Sequence, residues 1–226
     1  MNFLTRFLTQ LLIIPRVRTK FCKFRWKMRK GDMRFLDSLG PEVRQSVIDH
    51  NLSAFDHDAA FGCGNRMAIL MYPLSTLIQD KASAKILITG PRTEDDIFLA
   101  KALGLTDTKG VDLFSYSPYI ELGDCHRLPY KDSEFGAVVL GWVLAYCGDP
   151  HLALREAKRV LKPNGYLGIG WEWVPGNQKN DNLHIRGNTV NEVAEYIDAV
   201  DMKLVFLNDP DVQVNHNKSL IFKKES

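Results

Sequence analysis

The chain is poor in the residues that staple proteins together. Four cysteines occur in 226 residues, Cys22, Cys63, Cys125 and Cys147, and no two form a C-x-x-C pair. That spacing supports neither a zinc site nor a disulfide framework, so reduced, structural thiols of a cytoplasmic protein are the expectation. Long apolar runs are lacking as well. The stretch from Phe3 to Ile14 is interrupted by Arg6 and falls short of the roughly 20 apolar residues that cross a bilayer. It ends in no small-residue cleavage site, and its basic cluster follows instead of preceding it, which argues against a signal peptide. Internal repeats and low-complexity segments are missing, so the length points to one ordinary core with an appended N-terminal segment.

Acidic residues are absent from the first 31 positions, which hold nine Lys and Arg; the other 195 residues therefore carry a net −7 to reach the overall +2. A basic arm without domain-wide positive charge argues against nucleic acid. Within the arm, Phe3, Leu4, Phe7, Leu8, Leu11 and Leu12 share one helical face, and Pro15 is expected to end that helix. Apolar insertion and attraction to anionic lipid add together, so residues 1–31 are expected to meet a membrane surface. The alternatives are packing on the chain's own domain or on a partner, or disorder.

Beyond the arm the periodicity is mixed. Pro41 at a first helical position, followed by Val43, Val47, Ile48, Leu52 and Phe55, predicts one helix, and Met67 to Ile78 another, together covering a sheet edge. From Lys85 short apolar runs alternate with helical stripes. Strands are expected at Lys85–Gly90, Gly110–Phe114, Tyr119–Gly123, Phe135–Trp142 and Tyr166–Trp171, with helices at Asp95–Leu103 and Pro150–Leu161. A capping box at Thr189 and Glu192 opens a last helix, and strands follow near Leu204–Leu207 and Ser219–Phe222. The reading is an α/β fold: a Rossmann-like open sheet, mostly parallel, with an antiparallel C-terminal edge hairpin and helices on both faces. Three regions follow: 1–31, the basic amphipathic segment; 32–80, a helical extension packing on the sheet; and 81–226, the α/β domain.

Four pieces stand in an order that resembles the class I S-adenosylmethionine-dependent methyltransferases of type 11. They are the first strand Lys85–Gly90, Val111-Asp112 at the end of the second, the junction Gly123-Asp124-Cys125-His126-Arg127-Leu128-Pro129, and the helix and turn from Ala153 to Gly165. The resemblance covers about Lys85 to Trp171 and implies S-adenosylmethionine as cofactor, held by Gly90, Pro91, Arg92, Asp112, Leu113, Asp124, Cys125 and Gly141. It implies Asp112 on the ribose hydroxyls, and Asp124 with Cys125 on the adenine. The activity implied is methyl transfer to a small-molecule, glycan or lipid-linked acceptor, possible at a membrane surface. Three departures stand out. The cofactor loop reads Thr89-Gly90-Pro91-Arg92-Thr93 with one glycine, only a short segment joins Asp112 to Asp124, and Gly136 replaces the usual Asp. The altered loop leaves open a catalytically inactive binding or scaffold protein. A nicotinamide oxidoreductase would need the G-x-G-x-x-G that this chain lacks.

Other candidates are weighed by type and context. Trp142, Tyr146 and Cys147 follow the fourth strand, where ligands collect in open α/β sheets, and are expected as pocket walls or as packing. His126 is expected as a pocket or surface residue ahead of a base. Glu172 lies between Trp171 and Trp173, placed for an acceptor or for solvent, while His184 and Arg186 belong to a polar loop. Gly62-Cys63-Gly64 imitates a cofactor loop without a preceding strand, and Asp209, Asp211 and His216 have no metal-ligand spacing.

Overall fold

A computed structural model describes residues 3–56, 60–62, 64–172, 201–210 and 217–225. The elements run α1 (Phe3–Leu11), α2 (Pro15–Arg29), β1 (Arg34–Phe35), α3 (Gln45–Asp56), α4 (Gly64–Leu77), β2 (Lys85–Thr89), α5 (Asp95–Ala102) and β3 (Asp107–Asp112). They continue with β4 (Phe114–Ser115), β5 (Ile120–Leu122), β6 (Phe135–Gly141), α6 (Pro150–Val160), β7 (Leu161–Glu172), β8 (Lys203–Asn208) and β9 (Asn217–Lys223). Among the described residues the main sheet has seven strands in the order β5-β3-β2-β6-β7-β9-β8. Its first five strands are parallel, while β9 runs antiparallel to both β7 and β8, the edge arrangement expected.

Strand alternation divides the core. Leu87, Val138, Leu140 and Leu167 point to one face and pack with Leu154, Ala157 and Val160 of α6. Ile86, Ile88, Ala137 and Val139 point to the other, against Leu70, Met71 and Leu74 of α4 and Ile97 of α5. Thus α4, expected at a sheet edge, lies across a face instead, because its buried stripe matches the alternate residues of β2 and β6.

The N-terminal region differs from expectation in two places. Pro15 does end the run begun by α1, but it also opens α2, where a missing N–H is no loss. The basic cluster after it is therefore helical. Pro41 starts no helix; the chain turns through 41–44 and α3 begins at Gln45.

The link from β3 to β5 is only residues 113–119 and holds no helix. Within it β4 pairs antiparallel with β1. A parallel sheet needs both faces covered, and here the N-terminal helices supply cover that a crossover helix would have given. Phe114 and Tyr116 are buried with Cys22 of α2 and with Ile48 and Phe55 of α3. Trp26 completes the cluster at 4.4 Å from the Phe55 ring and 4.9 Å from Tyr116. Three expected features, the helix opened by Thr189 and Glu192, the polar loop of His184 and Arg186, and the side chains of Trp171, Glu172 and Trp173, lie outside the described residues. Asp211 and His216 do too; Asp209 forms an ion pair with Lys218.

Candidate cofactor cleft

Chain order reverses around β2, which has β3 on one side and β6 on the other. At such a switch point the loops after neighbouring strands diverge and leave a crevice at the carboxyl ends. A cleft of about 760 Å³, counting the part open to solvent, lies there, lined by Gly90 after β2, Asp112 and Leu113 at the end of β3, Asp124 and Cys125 after β5, and Gly141 at the end of β6. Seven of the eight residues implied to bind cofactor therefore share one cavity. Pro91 lines the adjoining hollow with Gly90, Arg92 and Gly141, and its ring also fills the space beside Gly110, where an added Cβ would come within 2.7 Å of it.

The loop after β2 is fixed from several sides. Gly90 has φ +62°, and a Cβ there would meet the Val143 methyl at 2.5 Å, so glycine is required twice over. Arg92 also adopts positive φ, at +55°. This turns its amide onto Asp112, whose Oδ2 accepts the Arg92 N–H at 2.9 Å while Oδ1 accepts that of Leu113 at 2.7 Å. The carboxylate lines the cleft. Burial pushes the Asp112 carboxyl up to about 6, against the opposing pull of the Arg92, Leu113 and Phe114 amides and of the Arg92 charge.

The next residues are held by the arm. Glu94 is fully buried; its Oε1 accepts from Arg25 Nη2 at 2.8 Å and from Ser117 Oγ at 2.6 Å. Arg18, 1% exposed, donates from Nε to Asp95 Oδ1 at 3.1 Å and from Nη1 to the Leu12 carbonyl at 2.9 Å. The cofactor loop is thus tied to α2 rather than left as a bare glycine-rich turn. Beyond it a narrower hollow of about 400 Å³ is lined by Arg66, Arg92, Asp95 and Asp96. Burial and the neighbouring Asp95 push the Asp96 carboxyl up to about 7.

On the far wall, Asp124 Oδ1 accepts from the His126 amide at 2.9 Å and lies 2.6 Å from its Nδ1. Burial opposes both charges, yet the pair prevails: Asp124 is held below the usual carboxylate range and His126 is lifted to about 10. With Nδ1 on Asp124 and Nε2 accepting the Asp149 amide at 3.4 Å, both ring nitrogens are engaged, which leaves this histidine unsuited to be a base. Cys125 and Cys147, 22 positions apart, meet with their Sγ atoms at 3.4 Å, and with His126 they place three soft donors within 4.8 Å of one another. No spacing rule could reveal that approach, since it joins the loop after β5 to the loop after β6.

Trp142 and Tyr146 both line the cleft. Trp142 is buried, with φ +59°, its ring against Gly170 and beneath the Arg66 guanidinium at 4.9 Å. It is therefore wall and packing at once. The Ala153–Gly165 piece acts at a distance. Arg159 of α6 donates to the carbonyls of Leu128 and Tyr130, and Glu156 accepts the Leu128 amide at 2.9 Å, which clamps the segment carrying Asp124 and Cys125.

Sequence reasoning missed the mouth of the cleft. Glu42, Val43, Arg44, Val47 and Asn51 close it from the N-terminal extension, where the family resemblance has not begun, and Arg66 enters from the first turn of α4. The only available signal was the Gly62-Cys63-Gly64 imitation; Gly62 is a turn at φ +88°, and Arg66, just beyond it, reaches the site.

The family described as "Methyltransferase domain" matches residues 99–169. The chain is 39% identical over 74 residues to demethylmenaquinone methyltransferase of Lactobacillus johnsonii, covering 32% of this chain and 30% of that protein. It is 33% identical over 95 residues to 2-phytyl-1,4-naphtoquinone methyltransferase of Synechocystis sp., covering 42% and 40%. Each of these matches spans less than half of the curated relative. Among solved structures, a chain of the Haloferax volcanii complex with the Trm112 methyltransferase activator superposes with a TM-score of 0.59 at 15% identity, covering 81% of this chain and all of that one. The [4+2]-cyclase SpnF gives 0.55 at 16%, covering 69% and 80%. The chain has a class I S-adenosylmethionine-dependent methyltransferase fold, type 11-like, and that fold implies S-adenosylmethionine as its cofactor.

Proposed function

We propose that the protein transfers a methyl group from S-adenosylmethionine to a small, flat, largely apolar acceptor of the quinone kind. The observation that carries this reading is Asp112, placed at the end of β3 with its carboxylate lining the cleft, which suits the two hydroxyls of a ribose. The other groups fit the same cofactor. Arg66 and Arg92, which line the cleft, would offer cations for its carboxylate end, and Asp124, on the same wall as Cys125, would meet the adenine. When bound, the cofactor supplies an electrophilic methyl on a sulfonium. The protein's part is alignment and exclusion of water, with Trp142, Val143 and Tyr146 as the apolar wall for the acceptor. The names of the relatives, which methylate demethylmenaquinone and a phytyl naphthoquinone, favour that acceptor class.

The narrower forms of the proposal are a glycan- or lipid-linked acceptor and work at the cytoplasmic membrane surface, supported by the nine basic residues of the arm. Isothermal titration with S-adenosylhomocysteine tests the cofactor. Micromolar binding that Asp112→Ala weakens at least tenfold is expected; no heat at millimolar ligand overturns the reading. A second reading, a binding or scaffold protein, is favoured by one feature: the loop offers Pro91 and Arg92 where glycines would expose backbone. It gains if Asp112→Ala and Asp124→Ala leave cellular function and ligand-induced melting shifts unchanged.

A further inference from the structure

The inner side of α2 is fully engaged by Arg18, Cys22 and Arg25, which face the cofactor loop and the aromatic cluster. Its outer side is inverted for a helix packed on a globular domain. Ile14, Val17, Phe21, Phe24 and Met28 recur at 3-4-3-4 spacing, which places them on one stripe; all five reach solvent, Phe24 by 60% and Met28 by 71%, while Phe21 keeps its ring edge-on to Phe98 at 5.3 Å. Each of Arg16, Lys20 and Lys27 precedes a stripe member by one residue, so these exposed cations form a second stripe alongside the first. Phe7 and Leu8 of α1 add exposed apolar surface at 52% and 53%. A contiguous apolar patch edged by one sign of charge marks an interaction surface.

We infer that this outer face of α1 and α2 docks on an anionic lipid bilayer, apolar stripe in the headgroup–acyl boundary and basic stripe on the headgroups. Charge decides the occupant. No acid lies among residues 1–31 to balance the stripe, so two copies of α2 brought face to face would oppose like charges, whereas anionic headgroups answer them. The inference deepens the membrane-surface part of the proposal and needs no cofactor. Because α2 also grips Glu94 and Asp95, the helix that meets lipid is the one that holds the cofactor loop.

Cosedimentation with vesicles of phosphatidylglycerol and phosphatidylcholine tests it. The full chain is expected to bind the mixed vesicles, to ignore pure phosphatidylcholine, and to release as salt rises. Phe24→Ser/Met28→Ser should weaken binding on the order of tenfold or more. Lys20→Glu/Lys27→Glu should do the same, and neither should move the melting temperature, since all four side chains are exposed. Failure of the wild-type chain to bind the anionic vesicles overturns the inference, as does full binding by both variants. A dimer that Phe24→Ser/Met28→Ser dissolves, without vesicle binding, assigns the face to a second copy and overturns it too. Titration with S-adenosylhomocysteine stands apart, so loss of either result leaves the other interpretable.

Discussion

Replacing Arg18 by Met keeps most of the side chain's volume and removes its charge, leaving Asp95 facing an apolar wall. Arg18 is 1% and Asp95 4% exposed at the side chain, and Asp95 Oδ2 has no other hydrogen-bond partner. Breaking one side of such a pair costs about 3–5 kcal/mol. The orphaned carboxyl has a way out, because it can take up a proton. Burial already holds Asp95 above the usual carboxylate range even with Arg18 beside it. Protonating a carboxyl of ordinary pKa about 3.9 costs about 4 kcal/mol at pH 7 and about 1.5 kcal/mol at pH 5. These figures cap the penalty. In the variant the folded-state pKa rises further above the unfolded value, so the folded form binds a proton that the unfolded form lacks, and stability falls as pH climbs between the two. Urea denaturation at pH 7 should therefore show a deficit of about 3–4 kcal/mol, shrinking to about 1.5 kcal/mol or less at pH 5. A deficit below about 1 kcal/mol at pH 7, or one that does not shrink on acidification, would refute the picture of a buried charge pair joining arm and loop.

Three further outcomes are expected. Since Asp112 must be ionised to accept two ribose hydroxyls, and burial holds it at about 6, affinity for S-adenosylhomocysteine should rise as pH passes 6 and level off above 7; Asp112→Asn should flatten that part of the titration, which separates it from Asp96. Gly90→Ala combines a left-handed backbone with contact to Val143 and should lower stability by about 2–4 kcal/mol, read from the melting temperature, with Val143→Ala restoring the steric part only. Treatment with diamide, which takes up the two thiol hydrogens, should join Cys125 to Cys147 and lower the intact mass by two hydrogens, faster at high pH because the facing Cys147 thiol and burial hold Cys125 well above the usual thiol range; Cys147→Ser should abolish it.

Linear order carried the sheet. Lys85–Gly90 and Phe135–Trp142 are apolar on both alternations, which suits only strands covered on both faces, and the helix expected at Pro150–Leu161, with its Leu154, Ala157 and Val160 stripe, leaves one reading. The residues at the strand ends were implied by the family resemblance, and Gly90, Asp112, Asp124 and Gly141 stand at or just beyond the ends of parallel strands. What depends on pairs distant in sequence was not legible. Arg18 with Asp95 and Arg25 with Glu94 are separated by 77 and 69 positions, and a basic arm read alone has no way to name its acidic partners. The same holds for Cys125 and Cys147, and for Glu42 to Asn51 at the cleft mouth. The sequence by itself determined an α/β sheet and the strand ends where a cofactor would lie, because side-chain periodicity and turn residues are local. Only the tertiary structure decided that α2 grips the altered cofactor loop with one side while its other side keeps five apolar residues in solvent, because which face of a helix is covered depends on what the rest of the chain brings against it.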